Sequence, residues 1–154
     1  MTAPEQLGLF LTTLRVEEYT PAGMSQANLW VLTGPLSYLS ATGHQIIVPK
    51  GFITDLASIP RPLRGIFNVN GKSRAPAVLH DYLYCSQQLK GRKEADGLFL
   101  EAMVARGMDP VTRNLMYVAV RSFGWIYYNK RQAGNGLSIE DFVPPGYFSD
   151  VSAR

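Results

Sequence analysis

At Ser73 the spacing of apolar residues changes, and that change constrains what the chain can fold into. Before it, short β-prone runs alternate with turn residues. The runs are Leu29-Trp30-Val31-Leu32-Thr33, Tyr38-Leu39-Ser40, Gln45-Ile46-Ile47-Val48 and Phe52-Ile53-Thr54. The turns between the later ones are Ala41-Thr42-Gly43-His44 and Pro49-Lys50-Gly51. Residues 10–19 also alternate in part, so three or four short antiparallel strands are expected. After Ser73, apolar residues recur at helical intervals. Residues 74–88 form a first predicted helix, with Pro76 tolerated in its first turn and Gly91 breaking it. Residues 92–106 form a second, with Ala95, Phe99, Ala102 and Met103 on one face and Gly107 ending it. Asp109 as N-cap and Pro110 at the first helical position open a third, which runs to about Asn129. From Gln132 onward, glycine and proline point to an irregular wrap whose aromatics Phe142, Tyr147 and Phe148 pack back on the body. The predicted fold class is α+β: a small antiparallel N-terminal sheet followed by three helices and an irregular C-terminal wrap. With 154 residues the chain reads as a single domain over 1–154. It is strand-rich over 1–60 and helical over 74–130, with a tail over 131–154.

Charge and cysteine usage narrow the function classes. A net charge of +3, with no stripe of Lys or Arg, gives no expectation of specific nucleic-acid binding. A content of 46% hydrophobic and 18% charged residues is that of a globular protein rather than a disordered one. Cys85 stands alone, so the chain can form no internal disulfide, and a reducing compartment fits best. Met1 to Gln6 lacks a basic segment followed by an apolar one, so no signal peptide is expected. No apolar run approaches the roughly 20 residues of a transmembrane helix, so no transmembrane segment is expected. Two scattered histidines and one cysteine do not make a structural zinc site, and neither a phosphate loop nor a serine nucleophile elbow is present.

The residues that could carry chemistry lie in the first helix, where His80 and Asp81 interrupt an apolar run. His80 and Tyr84 are one turn apart and share a face, whereas Asp81 points about a quarter turn away. His80 and Asp81 therefore form no dyad, and each needs its own partner. A histidine buried among Ala77, Leu79 and Leu83 has its charged form disfavoured and can act as a base if a carboxylate holds its other nitrogen. Asp96, near the start of the second helix, is the expected holder; otherwise His80 is a satisfied core residue and Asp96 serves the helix dipole. Asp55 ends a strand in Thr54-Asp55-Leu56-Ala57-Ser58-Ile59-Pro60. With Asp81 and loop carbonyls it suits a hard cation, or else it caps a turn through its own backbone. Arg92 lies one turn before Asp96, and Tyr117 and Arg121 share a face of the third helix within reach of either the site or solvent.

Two resemblances attach to these residues. The segments Pro49 to Pro60, His80-Asp81-Tyr82-Leu83-Tyr84, Ala95-Asp96 and Leu115 to Arg121 resemble a family of small phage and prophage proteins that carries only an unknown-function label. That resemblance covers roughly residues 45–125 and implies a viral origin, with the host cytoplasm or the virion as the place of work. His-Asp-x-x-Tyr on a helix is also similar to the signature of phospholipases A2, including the disulfide-free domain of parvovirus capsids. That likeness implies His80 as general base, Tyr84 as supporting hydroxyl and Asp96 as the residue orienting the imidazole. It further implies calcium held by Asp81 with the Asp55-Leu56 loop, polarising an ester carbonyl. The glycine-rich calcium loop of most such enzymes is replaced here by a Pro-flanked segment.

Three functions follow as expectations. The first is a calcium-dependent ester or phospholipid hydrolase acting on host membrane lipid. The second is a non-catalytic virion component of tail or baseplate, or an assembly factor, partnered by other phage structural proteins. The third is a host-directed binding protein.

Overall fold

The computed structural model describes residues 7–25, 29–55, 71–86, 88–89, 91–134 and 141–151. Among these residues, six short strands precede the helices: β1 (Leu9–Phe10), β2 (Val16–Tyr19), β3 (Leu29–Leu32), β4 (Leu36–Leu39), β5 (Gln45–Val48) and β6 (Ile53–Thr54). The helices are α1 (Arg74–Cys85), α2 (Arg92–Ala105), α3 (Pro110–Ala133) and a short α4 (Tyr147–Val151). The chain is α+β, with small antiparallel sheets leading and helices following.

The strands form two three-stranded sheets, ordered β1-β4-β5 and β2-β3-β6, with every pairing antiparallel. One small sheet was the expectation. Residues 10–19 do not run as one strand: the chain breaks after Phe10, and its two halves join different sheets. β5 shows why a strand forms there, since Ile46 and Val48 are buried while Gln45 and Ile47 face outward. Gly51 turns the chain between the sheets with φ of 89°, and a Cβ there would meet Val143 at 3.4 Å, so both backbone and space favour glycine. Its N–H donates to the Leu32 carbonyl and its own carbonyl accepts from Val143 N, which pins the tail to the strands.

α1 is the centre of the molecule. Ten of its residues, Ala75, Pro76 and Val78 through Cys85, are buried. A helix buried on nearly every face must be wrapped by other elements. Here α2, α3 and β5 pack against it, and Leu32, Leu36, Tyr38, Val48 and Phe52 join its apolar side chains in one core. A second cluster of Phe99, Met103, Met108, Met116 and Ala119 locks α2 to α3. Tyr38 ties the first sheet to α2 by donating to Glu101 at 2.6 Å.

The helical boundaries differ from expectation at three places. α1 stops at Cys85 because Ser86 is already extended, at φ −81° and ψ 145°. α3 runs on to Ala133, with Lys130 and Arg131 in its last turn where cations favour the helix dipole. The tail is not irregular throughout. Phe142 makes a β-bridge to Phe52, and α4 follows. The expected packing of tail aromatics is present: Phe142 meets Phe52 at 6.0 Å, Tyr147 meets Tyr19 at 5.6 Å, and Lys50 sits 4.1 Å from the Phe148 ring centre. Asp109 caps α3 as expected, accepting from Thr112 N at 2.9 Å, with Pro110 following. Among the described residues, no helix is long and apolar enough to cross a membrane.

Candidate functional site

Asp96 is fully buried, and its carboxylate is the hub of the helical half. Oδ1 accepts from His80 Nε2 at 2.8 Å and from the Tyr84 hydroxyl at 2.5 Å, both one turn apart on α1. Oδ2 accepts from Arg121 Nη1 of α3 at 2.7 Å, and Arg92 Nη1 approaches it at 3.4 Å. Arg92 is held in turn by the carbonyls of Val120 and Arg121, at 2.9 and 3.0 Å. One side chain thus joins α1, α2 and α3. Burial opposes the charge on Asp96, but the hydrogen bonds from His80, Tyr84 and Arg121 outweigh it and hold its pKa below the usual carboxylate value.

The imidazole of His80 lies between two aromatic rings, 4.1 Å from Tyr84 and 4.7 Å from Phe99 by ring centres. Burial lowers its pKa, with Asp96 pulling the other way, so the ring is neutral at neutral pH. Nε2 is the nitrogen that donates to the carboxylate in that state, which leaves Nδ1 as the basic one. Tyr84 is fixed from behind by α3. A Cβ on Gly124 would lie 2.6 Å from the Tyr84 hydroxyl and 3.4 Å from Cζ. Gly124→Ala is therefore expected to destabilise by about 1–3 kcal/mol through overpacking, despite the gain of about 1 kcal/mol from helix propensity. Urea unfolding measures the sum; a variant as stable as the parent would show that Tyr84 moves aside freely.

Asp81 looks elsewhere. It is buried, accepts from the Tyr127 hydroxyl at 3.2 Å and is hydrogen-bonded by Thr54 of β6. It lines a pocket of about 220 Å³ with Asp55, Cys85, Tyr127, Arg131 and Asp141, walled by Leu29 and Ile53. Burial, reinforced by the Asp55 carboxylate, raises the Asp81 pKa to about 7 against the pull of Thr54, Tyr127 and Arg131. Arg131 is paired with Asp141 across this pocket. Burial pushes the Cys85 thiol up to about 12, with Asp81 adding to it, so Cys85 is no nucleophile at neutral pH.

The residues expected to act together thus fall into two groups on adjacent faces of α1. His80, Tyr84 and Asp96 form one, and Asp81 and Asp55 the other; His80 does not line the pocket that Asp81 lines. Leu56, expected with Asp55 in a cation loop, lies outside the described residues. The donors present are hard oxygens, as calcium prefers. Among the described residues, however, no group of three or more His, Cys, Asp or Glu side chains is placed to hold a metal ion. Sequence reasoning missed Tyr127, Arg131 and Asp141 as neighbours of Asp81. The aromatic and basic run from Trp125 to Arg131 was the available signal, and the helical spacing of Tyr127 and Arg131 puts both on one face.

A family model described as "Protein of unknown function (DUF1353)" matches residues 30–120, which contain both groups. Among curated proteins, "Uncharacterized protein y4iH" of Sinorhizobium fredii (strain NBRC 101917 / NGR234) is 33% identical over 102 residues. That alignment covers 63% of this chain and 42% of the relative, so the chain spans less than half of the relative's length. No solved structure matches the chain. The match over 30–120 takes in α1, α2, the Asp96 hub and Asp81 together, and the chain belongs to this family of unknown function.

Proposed function

We propose that the chain is a phage-encoded ester hydrolase of phospholipase A2-like chemistry. The observation that carries this reading is the Asp96 carboxylate accepting from both His80 Nε2 and the Tyr84 hydroxyl. A base needs a fixed ring, a defined tautomer and a counter-charge for the imidazolium it becomes. Asp96 supplies all three, and Tyr84 fixes the carboxylate. In this reading Nδ1 of His80 takes a proton from water as the water attacks the ester carbon, and the imidazolium returns it to the alcohol oxygen as the ester C–O bond breaks, releasing carboxylic acid and alcohol. Asp81 and Asp55 would be the residues that hold calcium. Calcium bound there would supply a Lewis acid for the ester carbonyl, and the ester would have to span the two adjacent faces of α1 that carry His80 and Asp81. Two carboxylates facing one pocket repel; Arg131 offsets part of that repulsion, and a divalent cation would offset more. The expected setting is the host cytoplasm or the virion, with host membrane lipid as substrate.

Release of fatty acid from phospholipid vesicles, with millimolar calcium and with a chelator, tests it. Activity is expected only with calcium, and His80→Ala and Asp81→Asn are each expected to lose about 10²–10⁴-fold. No hydrolysis by the parent chain, or equal rates for parent and His80→Ala, would sink the reading.

A second reading is favoured by one observation: the guanidinium of Arg121 already answers the Asp96 charge, at 2.7 Å. Asp96 then needs no imidazolium, and the cluster acts as a polar knot in a non-catalytic virion or assembly component. Mass spectrometry of purified particles separates the readings. Its absence from virions, together with normal assembly after gene deletion, would exclude this one.

A further inference from the structure

The tail and the β2-β3-β6 sheet line an apolar slot that neither reading above uses. Tyr19 of β2 pairs with Leu29 of β3, and Ile53 of β6 pairs with Val31, two residues on from Leu29. Tyr19, Leu29 and Ile53 therefore share one face of the sheet. Together with Pro21, and with Phe142, Pro144 and Pro145 of the tail, they line a volume of about 380 Å³. Small-molecule sites occupy about 300–1,000 Å³. The tail is fixed on both sides of its two prolines: Val143 N donates to the Gly51 carbonyl at 3.0 Å, and the Tyr147 hydroxyl donates to Glu17 at 3.2 Å. Proline itself has a locked φ. The slot is thus preformed, which lowers the cost of filling it.

Charge adjoins the slot at one place. Leu29 and Ile53 also wall the Asp81 pocket, so the two spaces meet along those side chains. Beyond them lie Asp55, Asp81 and Asp141, with Arg131 as the one cation among the described lining residues and Asp141 as its partner. The slot's own lining carries no charged side chain. We infer that the slot and the Asp81 pocket together form a binding site for a small aliphatic amine, with its chain between the sheet and Phe142 and its ammonium group beside Asp55 and Asp81. The apolar walls select the chain, and the surplus of carboxylate selects the sign of the head group. A fatty acid of the same length would bring its carboxylate against Asp55 and Asp81. A diamine would bury its second ammonium among apolar side chains without a partner. The site therefore prefers a monoamine to either, and it stands whether or not His80 is a base.

Calorimetric titration of the full chain with octylammonium tests this, in buffer containing a chelator so that the result does not depend on calcium. Binding is expected between about 10 µM and about 1 mM. It should tighten about fourfold with each methylene added from butylammonium to octylammonium. Octanoate and diaminooctane should each bind at least about tenfold more weakly than octylammonium. Methyl NMR of the parent chain should show shifts at Leu29 and Ile53 on adding the amine. Ile53→Trp, which fills the slot, should abolish the dependence on chain length. Asp55→Asn should keep that dependence and narrow the gap between octylammonium and octanoate. No binding at about 10 mM amine, octanoate binding as tightly as octylammonium, or methyl shifts confined to the exposed side chains of α3 would overturn the inference.

Discussion

Asp96→Asn is expected to be the most damaging isosteric change in the molecule, costing about 3–5 kcal/mol of stability. The amide fits the space but presents hydrogens to one of two sets of donors. Either Arg121 faces an N–H group, or His80 and Tyr84 do. The arginine charge is then left partly buried and unanswered, which is the costly half of breaking a buried pair. For a chain of this size, the loss lowers the melting temperature by roughly 10 °C or more. Circular dichroism melting measures it, and His80→Gln, which removes one donor and leaves both arginines paired, should fall by less. An Asp96→Asn variant within about 1 kcal/mol of the parent would show that the carboxylate does not hold α1, α2 and α3 together.

The second large effect is a dependence on pH carried by Asp81. Its pKa in the folded chain is about 7, against 3.8 for the free side chain. A group whose folded pKa is raised contributes stability that is present below the unfolded value and is lost as pH rises through the folded value. Asp81 therefore destabilises the protein progressively from about pH 4 to about pH 7, by at most about 4 kcal/mol. Asp81→Asn removes the ionisation and can still accept from Tyr127 and Thr54. It is expected to match the parent near pH 4 and to exceed it in stability at pH 8, read from urea midpoints at the two values. A variant equally destabilised at both would place the role of Asp81 in its hydrogen bonds rather than its charge. The same titration governs any cation held there. Calcium binding below pH 7 must displace a proton, so its apparent affinity is expected to fall about tenfold per pH unit.

Residues close in sequence were the legible ones. The His80, Tyr84 and Asp96 cluster could be read because two helices joined by a short connection must pack side by side, and helical spacing fixes which side chains meet. Asp109 and Pro110 announced α3 by local chemistry alone. The division of the strands into two sheets could not be read. β1 pairs with β4 and β3 with β6, and no local pattern distinguishes those partners from sequence neighbours. Arg121 was visible only as a residue that could turn either way. Arg131 and Asp141 came together through the fold of the tail, which turn residues alone do not specify. The exposed apolar face of α3 was hidden for another reason: Leu115 and Val118 look like core residues until Met116 and Ala119 are seen to be the ones that pack.

The two groups on α1 also differ in how far apart in the chain their parts lie. His80 reaches Asp96 across 16 residues, whereas Asp81 is reached by Tyr127 across 46, and its pocket also takes in Asp141 of the tail. Loop-closure entropy makes the near contacts early and the far ones late. The helical hairpin that joins His80 to Asp96 is therefore expected to form before the Asp81 pocket closes. The wall of that pocket that carries Asp141 is expected to arrive later and to open more readily, and hydrogen exchange of the tail amides against those of α1 measures this.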